Sequence, residues 1–580
     1  MEKRWVVKSV SDSNIVGKLT QSLNIDPILA CLLEQRGINS FSEAKDFFRP
    51  SLDSLHDPFL IKDMDKAIKR IEEAIANGER ILIYGDYDVD GTTAVALVYS
   101  FLKEFHDNLE FYIPDREKEG YGISNVSIDY AKASKVSLII SLDCGIKAHK
   151  QISYAKEKGI DFIVCDHHRP GISLPDAVAI VDPKQPECKY PYDELSGCGL
   201  GFKLAQAFYH KRNLPFEPLE KLLDLVVVSI AADVVPITGE NRILAYYGLK
   251  RLNLNPRPGF ESILFYSNVL RKSQTDEQTV FAKEINVTDL VFLIGPRINA
   301  AGRIHEAKKA VELLICDEMK QTHELSHSIN DNNLERRHLD SQITQEALKM
   351  ITMDSKLRAS KSTVLYHPDW HKGVIGIVAS RLMETYYRPT VILTESNGVI
   401  TGSARSVKDF DIYDAIDACS EYLDHFGGHK YAAGLSLQPG NFDKFHQKFK
   451  EYVDNTITED MLIPEIEIDA EVSITQLNDK FFRVLKQFEP FGPGNTSPVF
   501  LATNLYTKGT PKIVGEKHLK FSVIQQGSSR EFAVIAFQQA KHYQMVASGK
   551  PYDMVFSLEE NNWNGQTSLQ LNVKDLRFSM

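Results

Sequence analysis

The residues most able to do chemistry stand at the ends of apolar runs in the first half of the chain. Asp86, Asp88 and Asp90 close RILIYGDYDVDG (80 to 91), Asp143 closes SLIISLDCG (137 to 145), and Asp166, His167 and His168 close DFIVCDHH (161 to 168). Asp233 closes LVVVSIAADVVP (225 to 236), and a fifth run, AVAIVDP (177 to 183), ends in the same way. Carboxylates gathered in one crevice cannot all ionise without cations, because each like charge raises the cost of the next. Mixed carboxylate and imidazole ligands suit Mn²⁺ or Mg²⁺. Convergence of these side chains therefore predicts a hydrolytic site that uses two divalent metal ions.

Convergence requires a scaffold, and the runs themselves supply one. Continuously apolar strands are the mark of a parallel sheet covered on both faces, and open α/β sheets bind ligands beyond the carboxyl ends of their strands. All five runs are read as such strands. Amphipathic stretches between them, at 91 to 105, 149 to 159 and 200 to 212, give the βα alternation of a doubly wound parallel sheet. In GDYDVDG, alternation on an extended backbone would project the three Asp to one side, and Gly85 and Gly91 permit a tight turn into a helix whose N-terminus favours phosphate. The same segment resembles the start of an EF-hand loop, but the Glu required at the twelfth position falls on Leu97, so calcium is excluded. In DHH, consecutive side chains diverge, which lets one His ligate while the other faces substrate as a general acid. The cluster SGCGLG (196 to 201) lacks dinucleotide-loop spacing and is read as helix packing. No GxxxxGK[ST] element is present, which removes the usual cradle for ATP phosphates.

Further along, a charged stretch from about 300 to 352, free of Pro and Gly from HEAKKAVELL onward, predicts one long helix or two. A second α/β unit follows, with strand-like STVLYH and PTVILT around a helical GVIGIVASRLMETYY, then GVITGSARS and the glycine-rich FGGHKYAAG. Beyond about 462, short alternating strands from EIEIDAEVSI to TSLQLNVKDL predict a small barrel of the OB type, preceded by a FEPFGPGN linker. The expected organisation is a helical segment at 1–50, a catalytic α/β domain at 51–270, a helical connector at 271–352, a second α/β domain at 353–458 and an all-β barrel at 459–580. The cleft between the two α/β lobes is the expected substrate site.

Composition narrows the function class. A chain with 43% hydrophobic and 25% charged residues builds ordinary globular cores. MEKRWVVKSV lacks an apolar signal region and no apolar run is long enough to cross a bilayer, so a cytoplasmic protein without membrane attachment is expected. Seven scattered cysteines with no CxxC pair argue against disulfides and zinc ribbons, and Cys144 and Cys165 read as small buried hydrophobes. A net charge of −11 opposes indiscriminate duplex binding, so any nucleic-acid path must be locally basic.

Taken together, GDYDVDG, LDCG, CDHH and AADVVP resemble the four motifs of the DHH phosphoesterase superfamily, and GGHKYAAG resembles its accessory DHHA1 domain. GPRINAAGRI (295 to 304), WHKGVIGIVASR (370 to 381) and TGSARS (401 to 406) narrow the resemblance to the RecJ family of bacterial single-strand-specific exonucleases, over essentially the whole chain. The resemblance implies one metal on Asp88 and Asp143 and a second on Asp90, Asp143, His167 and Asp233, with Asp86 and Asp166 supporting the shells and His168 facing the scissile phosphate. Relatives of the pyrophosphatase type carry a His ligand where this chain has Tyr84, a poor ligand at neutral pH. Arg116, Arg303, Ser403, Arg405, Gly428 and His429 match phosphate-contacting positions.

The implied activity is 5′ to 3′ exonucleolytic release of 5′-mononucleotides from single-stranded DNA, in repair and recombination. Its implied setting is a monomer served by a single-strand-binding protein and a RecQ-type helicase. Phe491, Phe521 and Trp563 are candidates for base stacking on the barrel. Two other readings compete: a superfamily phosphoesterase of pyrophosphate, cyclic dinucleotides or very short oligonucleotides, and a non-catalytic strand-binding scaffold, which would have lost the metal ligands.

Overall fold

The computed structural model describes residues 3–9, 12–115, 118–120, 122–273, 278–303, 307–563 and 566–579. The chain forms two compact units, one of Asp12–Asn333 with Arg483–Ser497 and the other of Met1–Ser11, Leu334–Phe482 and Pro498–Met580.

The first unit is built on five parallel strands, β1 (Ile81–Gly85), β2 (Leu109–Tyr112), β3 (Leu138–Leu142), β4 (Asp161–Cys165) and β5 (Ala179–Val181), in the order β2-β1-β3-β4-β5. β1, β3 and β5 are buried throughout, as sheets sandwiched between helices require. The order reverses direction between β1 and β3, and this switch point opens a crevice at the carboxyl ends of the strands. One face of the sheet packs in a large core with the helices Met64–Ala76, Val89–Lys103 and Gly197–Lys211, and the other in a smaller core with Ile128, Ile152 and Ile160.

The run LVVVSIAADVVP (225 to 236) does not form a strand. Leu223–Ala232 is a helix, buried from Leu223 to Ala231 within the large core, and Asp233 is its C-cap residue. A helix buried on all sides carries no polar stripe, so periodicity cannot separate it from a buried strand. GDYDVDG is not extended either: Asp88 is the N-cap of the helix Val89–Lys103, accepting the Gly91 N–H, and Asp90 lies in its first turn.

The charged stretch breaks into two helices, Ala307–Ile315 and the 35-residue Met319–Met353, which carries the chain from one unit into the other. In the second unit, β6 (Thr363–Tyr366), β7 (Thr390–Ser396), β8 (Val399–Arg405), β9 (His425–His429) and β10 (Ala432–Leu437) form a mixed sheet in the order β9-β10-β8-β7-β6. The helix Ile375–Tyr386 packs on β7 and β8.

A closed barrel follows, of β11 (Phe500–Val514), β12 (His518–Gln525), β13 (Glu531–Ala536), β14 (Tyr552–Trp563) and β15 (Gln566–Phe578), ordered β11-β12-β13-β15-β14 with β14 returning to β11. Two expectations fail here. Glu465–Ile468 lies outside the barrel and pairs in parallel with a strand at Arg4–Val7, so the N-terminal segment is not purely helical. Of the stacking candidates, Phe521 is a core residue only 5% exposed, and Phe491 belongs to the first unit rather than the barrel; aromatic rings at alternating strand positions face the core as readily as solvent. The side chain of Trp563 lies outside the described residues.

Candidate metal centre

At the sheet's switch point the structure brings together Asp88, Asp90, Asp143, His167, His168 and Asp233. His167 Nε2 stands 3.1 Å from Asp143 Oδ1, 3.6 Å from Asp233 Oδ2 and 3.7 Å from Asp90 Oδ2. Two sets of potential ligands have donor atoms within 4.8 Å of one another: Asp90, His167 and Asp233, and Asp143, His167 and His168. Asp88 falls in neither set, although its charge acts on both Asp143 and Asp233.

The backbone fixes these positions. Asp143 ends β3 at a φ of 59°, and its N–H is held by the Cys165 carbonyl at 3.0 Å. Gly197 lies so close that an added Cβ would come within 2.6 Å of the Asp143 Cβ, so a side chain there would displace the carboxylate. Asp90 is held by three donors: the N–H groups of Gly197 and Cys198, each at 2.7 Å, and the Ser229 hydroxyl at 2.6 Å. SGCGLG therefore does more than pack a helix; capped by Ser196, it aims a helix N-terminus at Asp90. The sequence held a signal for this that depended on the helix at 223–232, where Ser229 and Asp233 fall four residues apart on one face.

The DHH triplet divides its labour. Asp166 does not point its oxygens at the metal cluster: Oδ1 accepts from His168 Nδ1 at 2.8 Å and from the His168 N–H, while Oδ2 accepts from the Ile146 N–H at 2.9 Å. Burial alone would push this carboxyl up, but the bonds from His168 and the amides hold it below the ordinary value. The same pair acts on His168, where burial lowers the affinity for a proton and the Asp166 bond outweighs it, raising the imidazole above its ordinary value. Burial lowers His167 instead, which leaves a neutral ring suited to coordination.

Around it, burial first and then neighbouring carboxylates raise Asp143 well above the ordinary range and Asp233 to about 8, and Asp88 is raised for the same reasons. Asp182, at the end of β5, is pushed to about 7 by burial. Asp86 is fully buried and accepts the Gly122 N–H at 3.5 Å.

Tyr84 takes no part in this cluster. Its ring lies in the smaller core, stacked on Tyr112 with centroids 5.6 Å apart, and its hydroxyl donates to the Gly122 carbonyl at 2.8 Å. Strand alternation turns it away from the carboxylates. Tyr84→Phe is accordingly expected to leave the turnover rate within about twofold and to cost about 1 kcal/mol of stability through one lost hydrogen bond; a rate measurement alongside a urea melt checks both.

A metal pair fits these residues on evidence internal to the cluster. Both ring nitrogens of His167 are buried without a hydrogen-bond partner among the described residues, although three carboxylates surround Nε2. An unsatisfied imidazole nitrogen facing several carboxylates is costly unless a cation lies between them.

The second unit holds a separate cradle. Arg405 Nε donates to Ser380 Oγ at 3.1 Å and Nη1 to Ser403 Oγ at 3.0 Å. A Cβ at Gly376, in the first turn of the helix Ile375–Tyr386, would meet Ser403 Oγ at 3.0 Å and Arg405 Nη2 at 3.1 Å. Register places Ser403, Gly434 and Gly427 in one row across the sheet, and Arg405, Ala432 and His429 in a row two residues along. Gly428 sits at a φ of 150°, where a Cβ would meet the Ala432 carbonyl at 2.3 Å. An arginine, two hydroxyls and a helix N-terminus beside a glycine floor suit a phosphate. Arg116 lies outside the described residues, as does the side chain of Arg303, whose backbone ends the helix Gly295–Arg303.

Comparison with known proteins identifies the domains that carry these residues. Residues 80–230 match the model of the DHH family N-terminal domain, 359–455 the DHHA1 domain and 468–575 the RecJ OB domain. The chain is 36% identical over 579 residues to the single-stranded-DNA-specific exonuclease RecJ of Bacillus subtilis, covering 99% of this chain and 71% of that protein. It is 31% identical over 573 residues to RecJ of Escherichia coli, covering 95% and 96%. The chain belongs to the RecJ family. A solved RecJ from Thermus thermophilus, in complex with Mn²⁺, superposes with a TM-score of 0.83 at 28% identity, covering all of this chain and 80% of that one. Membership in the RecJ family accounts for the presence of all three domain types in one polypeptide. Among the described residues, no helix is long and apolar enough to cross a membrane.

Proposed function

We propose that the chain is a single-strand-specific 5′ to 3′ exodeoxyribonuclease that uses two divalent ions, Mn²⁺ or Mg²⁺, and releases 5′-mononucleotides. The observation that carries this reading is the ring of buried Asp90 and Asp143 and half-buried Asp233 around the unsatisfied Nε2 of His167. Asp90, Asp143, His167 and Asp233 would hold one ion and Asp88 and Asp143 the other, with Asp86 completing the carboxylate shell. When bound, such a pair supplies Lewis-acid polarisation of a phosphoryl oxygen and acidifies the attacking water.

The chain's own groups do the rest. Asp166 fixes Nδ1 of His168, so a proton delivered to the departing 3′ oxygen comes from Nε2. Each cleavage leaves a new 5′-phosphate on the remaining strand, and the Ser403 and Arg405 cradle, with Gly428 and His429, takes that terminal phosphate. Arg116 and Arg303 contact phosphates further along. The barrel holds incoming strand through backbone charge and stacking, for which exposed Lys512, Lys517, Lys520 and Phe537 are available. With no ATP-binding loop of its own, the enzyme depends on a RecQ-type helicase and a single-strand-binding protein to present substrate during repair and recombination. We read it as a cytoplasmic monomer.

The test compares 5′-labelled and 3′-labelled single strands with Mn²⁺ or Mg²⁺, beside duplex, pyrophosphate and cyclic di-AMP. The expected result is early release of the 5′ label as mononucleotide, with the controls intact. Early release of the 3′ label, or turnover of the small molecules alone, contradicts the proposal. Arg405→Ala is expected to reduce the preference for a 5′-phosphorylated over a 5′-hydroxyl strand by about 10- to 100-fold, the worth of a charge-assisted hydrogen bond. An unchanged preference removes Arg405 from the phosphate cradle.

A further inference from the structure

The segment Phe488–Thr496 precedes the barrel in sequence but packs within the catalytic unit. Two arginines fasten it there. Arg242, nearly buried, donates to the carbonyls of Gln487, Phe488 and Glu489 at 2.8 to 3.1 Å and lies 3.7 Å over the Phe47 ring. Arg36 donates to Asn495 Oδ1 and to the Thr496 carbonyl, each at 2.7 Å. Asn495, 1% exposed, completes the brace by donating through Nδ2 to the carbonyls of Phe488 and Pro490 at 2.7 and 2.9 Å. Every polar atom of that amide is thus engaged, and the segment is a rigid strap rather than a loose linker.

The tip of the strap rests on the loop that follows Asp233. The Ile237 N–H donates to the Pro493 carbonyl at 2.7 Å. A Cβ at Gly492 would lie 2.4 Å from Ile237 Cδ1, and one at Gly494 would lie 2.9 Å from Thr238 Cγ2 and 3.3 Å from the Pro236 Cβ. Only glycine permits this approach. The loop needs outside support, because Val234, next to Asp233, sits at a φ of 59°, a conformation that a β-branched residue adopts only when its surroundings impose it. Tyr192 and Asn241 also hold the loop, donating to the Pro236 carbonyl at 3.2 and 3.0 Å, and Val235 and Ile237 are buried in the large core. The strap is a further buttress, and it bears on Ile237, four residues from the carboxylate.

We infer that the strap Phe488–Thr496 is a positioning device for Asp233, setting the affinity of the metal centre from a segment that contributes no ligand. The inference rests on the two-metal reading. Gly492→Ala pushes Ile237 and the loop outward, so Mn²⁺ binding, followed by electron paramagnetic resonance without substrate, is expected to weaken about tenfold. The metal concentration for half-maximal cleavage is expected to rise in parallel, while the rate at saturating Mn²⁺ falls less than about threefold. Pairing the change with Ile237→Ala, which removes Cδ1 and also Cγ1, 2.9 Å from the added Cβ, is expected to restore binding to within about twofold of the parent.

Leu219→Ala, a core truncation elsewhere in the unit, serves as the stability control and is expected to lower the melting temperature without moving Mn²⁺ affinity. A folded Gly492→Ala with parental Mn²⁺ affinity overturns the inference. If Gly492→Ala does not fold, the double variant decides: parental Mn²⁺ affinity supports the inference, and weakened affinity in a folded double variant overturns it. Asp233→Ala separates the two levels of the argument. If it leaves Mn²⁺ binding intact, the metal reading fails; if it weakens binding while Gly492→Ala does not, only the strap fails.

Discussion

Asp143→Ala is expected to lower the rate of strand hydrolysis at saturating Mn²⁺ by at least about 10³-fold, the scale of losing a metal-borne stabilisation of the transition state, while binding of single-stranded DNA changes by less than about threefold. Asp143 is 2% exposed, its backbone is locked at a φ of 59°, and Gly197 presses against its Cβ. Two of the neighbouring carboxylates are tied elsewhere: Asp90 is held by three donors, and Asp166 has both oxygens engaged with His168 and Ile146. A bridging ligand serves both ions, so its loss should be felt at both, and Mn²⁺ titration of the variant should show weaker binding at each. On the proposed reading, strand binding would depend on the cradle and the barrel, which the substitution does not touch. Asp143→Asn, which keeps the shape and removes the charge, is expected to lose nearly as much activity. Substantial hydrolysis by either variant, measured as released 5′-labelled mononucleotide, would remove Asp143 from the bridging role.

The parallel sheet and most of the site were legible because their signals are local. Four of the five apolar runs are strands, and each is followed by the acidic or histidine residue the reading required. Asp233 was found for a partly mistaken reason: its run is a helix, and its position in the crevice comes from a helix C-terminus rather than a strand end. What stayed hidden were contacts between segments far apart in sequence. The Gly197 and Cys198 amides of SGCGLG hold Asp90 more than a hundred residues away, and nothing in either segment alone announces the pairing. The Arg4–Val7 strand is in the same position, because its partner lies at Glu465–Ile468. The alternation that marks barrel strands also misled, since Phe521 faces inward on β12 while its lysine neighbour Lys520 faces out.

Removing divalent ions is expected to abolish hydrolysis and to change how the protein's stability responds to pH. In the metal-free fold, Asp143 and Asp88 titrate above their ordinary values, Asp233 at about 8 and Asp182 at about 7. A carboxyl whose folded value is raised stabilises the fold below its unfolded value, near 4, and that contribution is lost as the pH climbs through the folded value. His168, also raised, acts in the same direction. His167 is lowered and opposes it only below its unfolded value near 6.5, while Asp166, lowered and ionised throughout, is neutral in this window. The metal-free protein should therefore lose melting temperature between pH 6.5 and 8.5, by on the order of 5 °C at roughly 1 kcal/mol per 2 to 4 °C. Metal binding requires the deprotonated ligands, so added Mn²⁺ should restore most of the loss at pH 8.5 and little at pH 6.5, reversing the slope. Thermal melts in chelator and in Mn²⁺ at the two pH values read this directly. A chelated protein as stable at pH 8.5 as at 6.5, with no response to Mn²⁺, would mean that the carboxylates around His167 do not form a cation site.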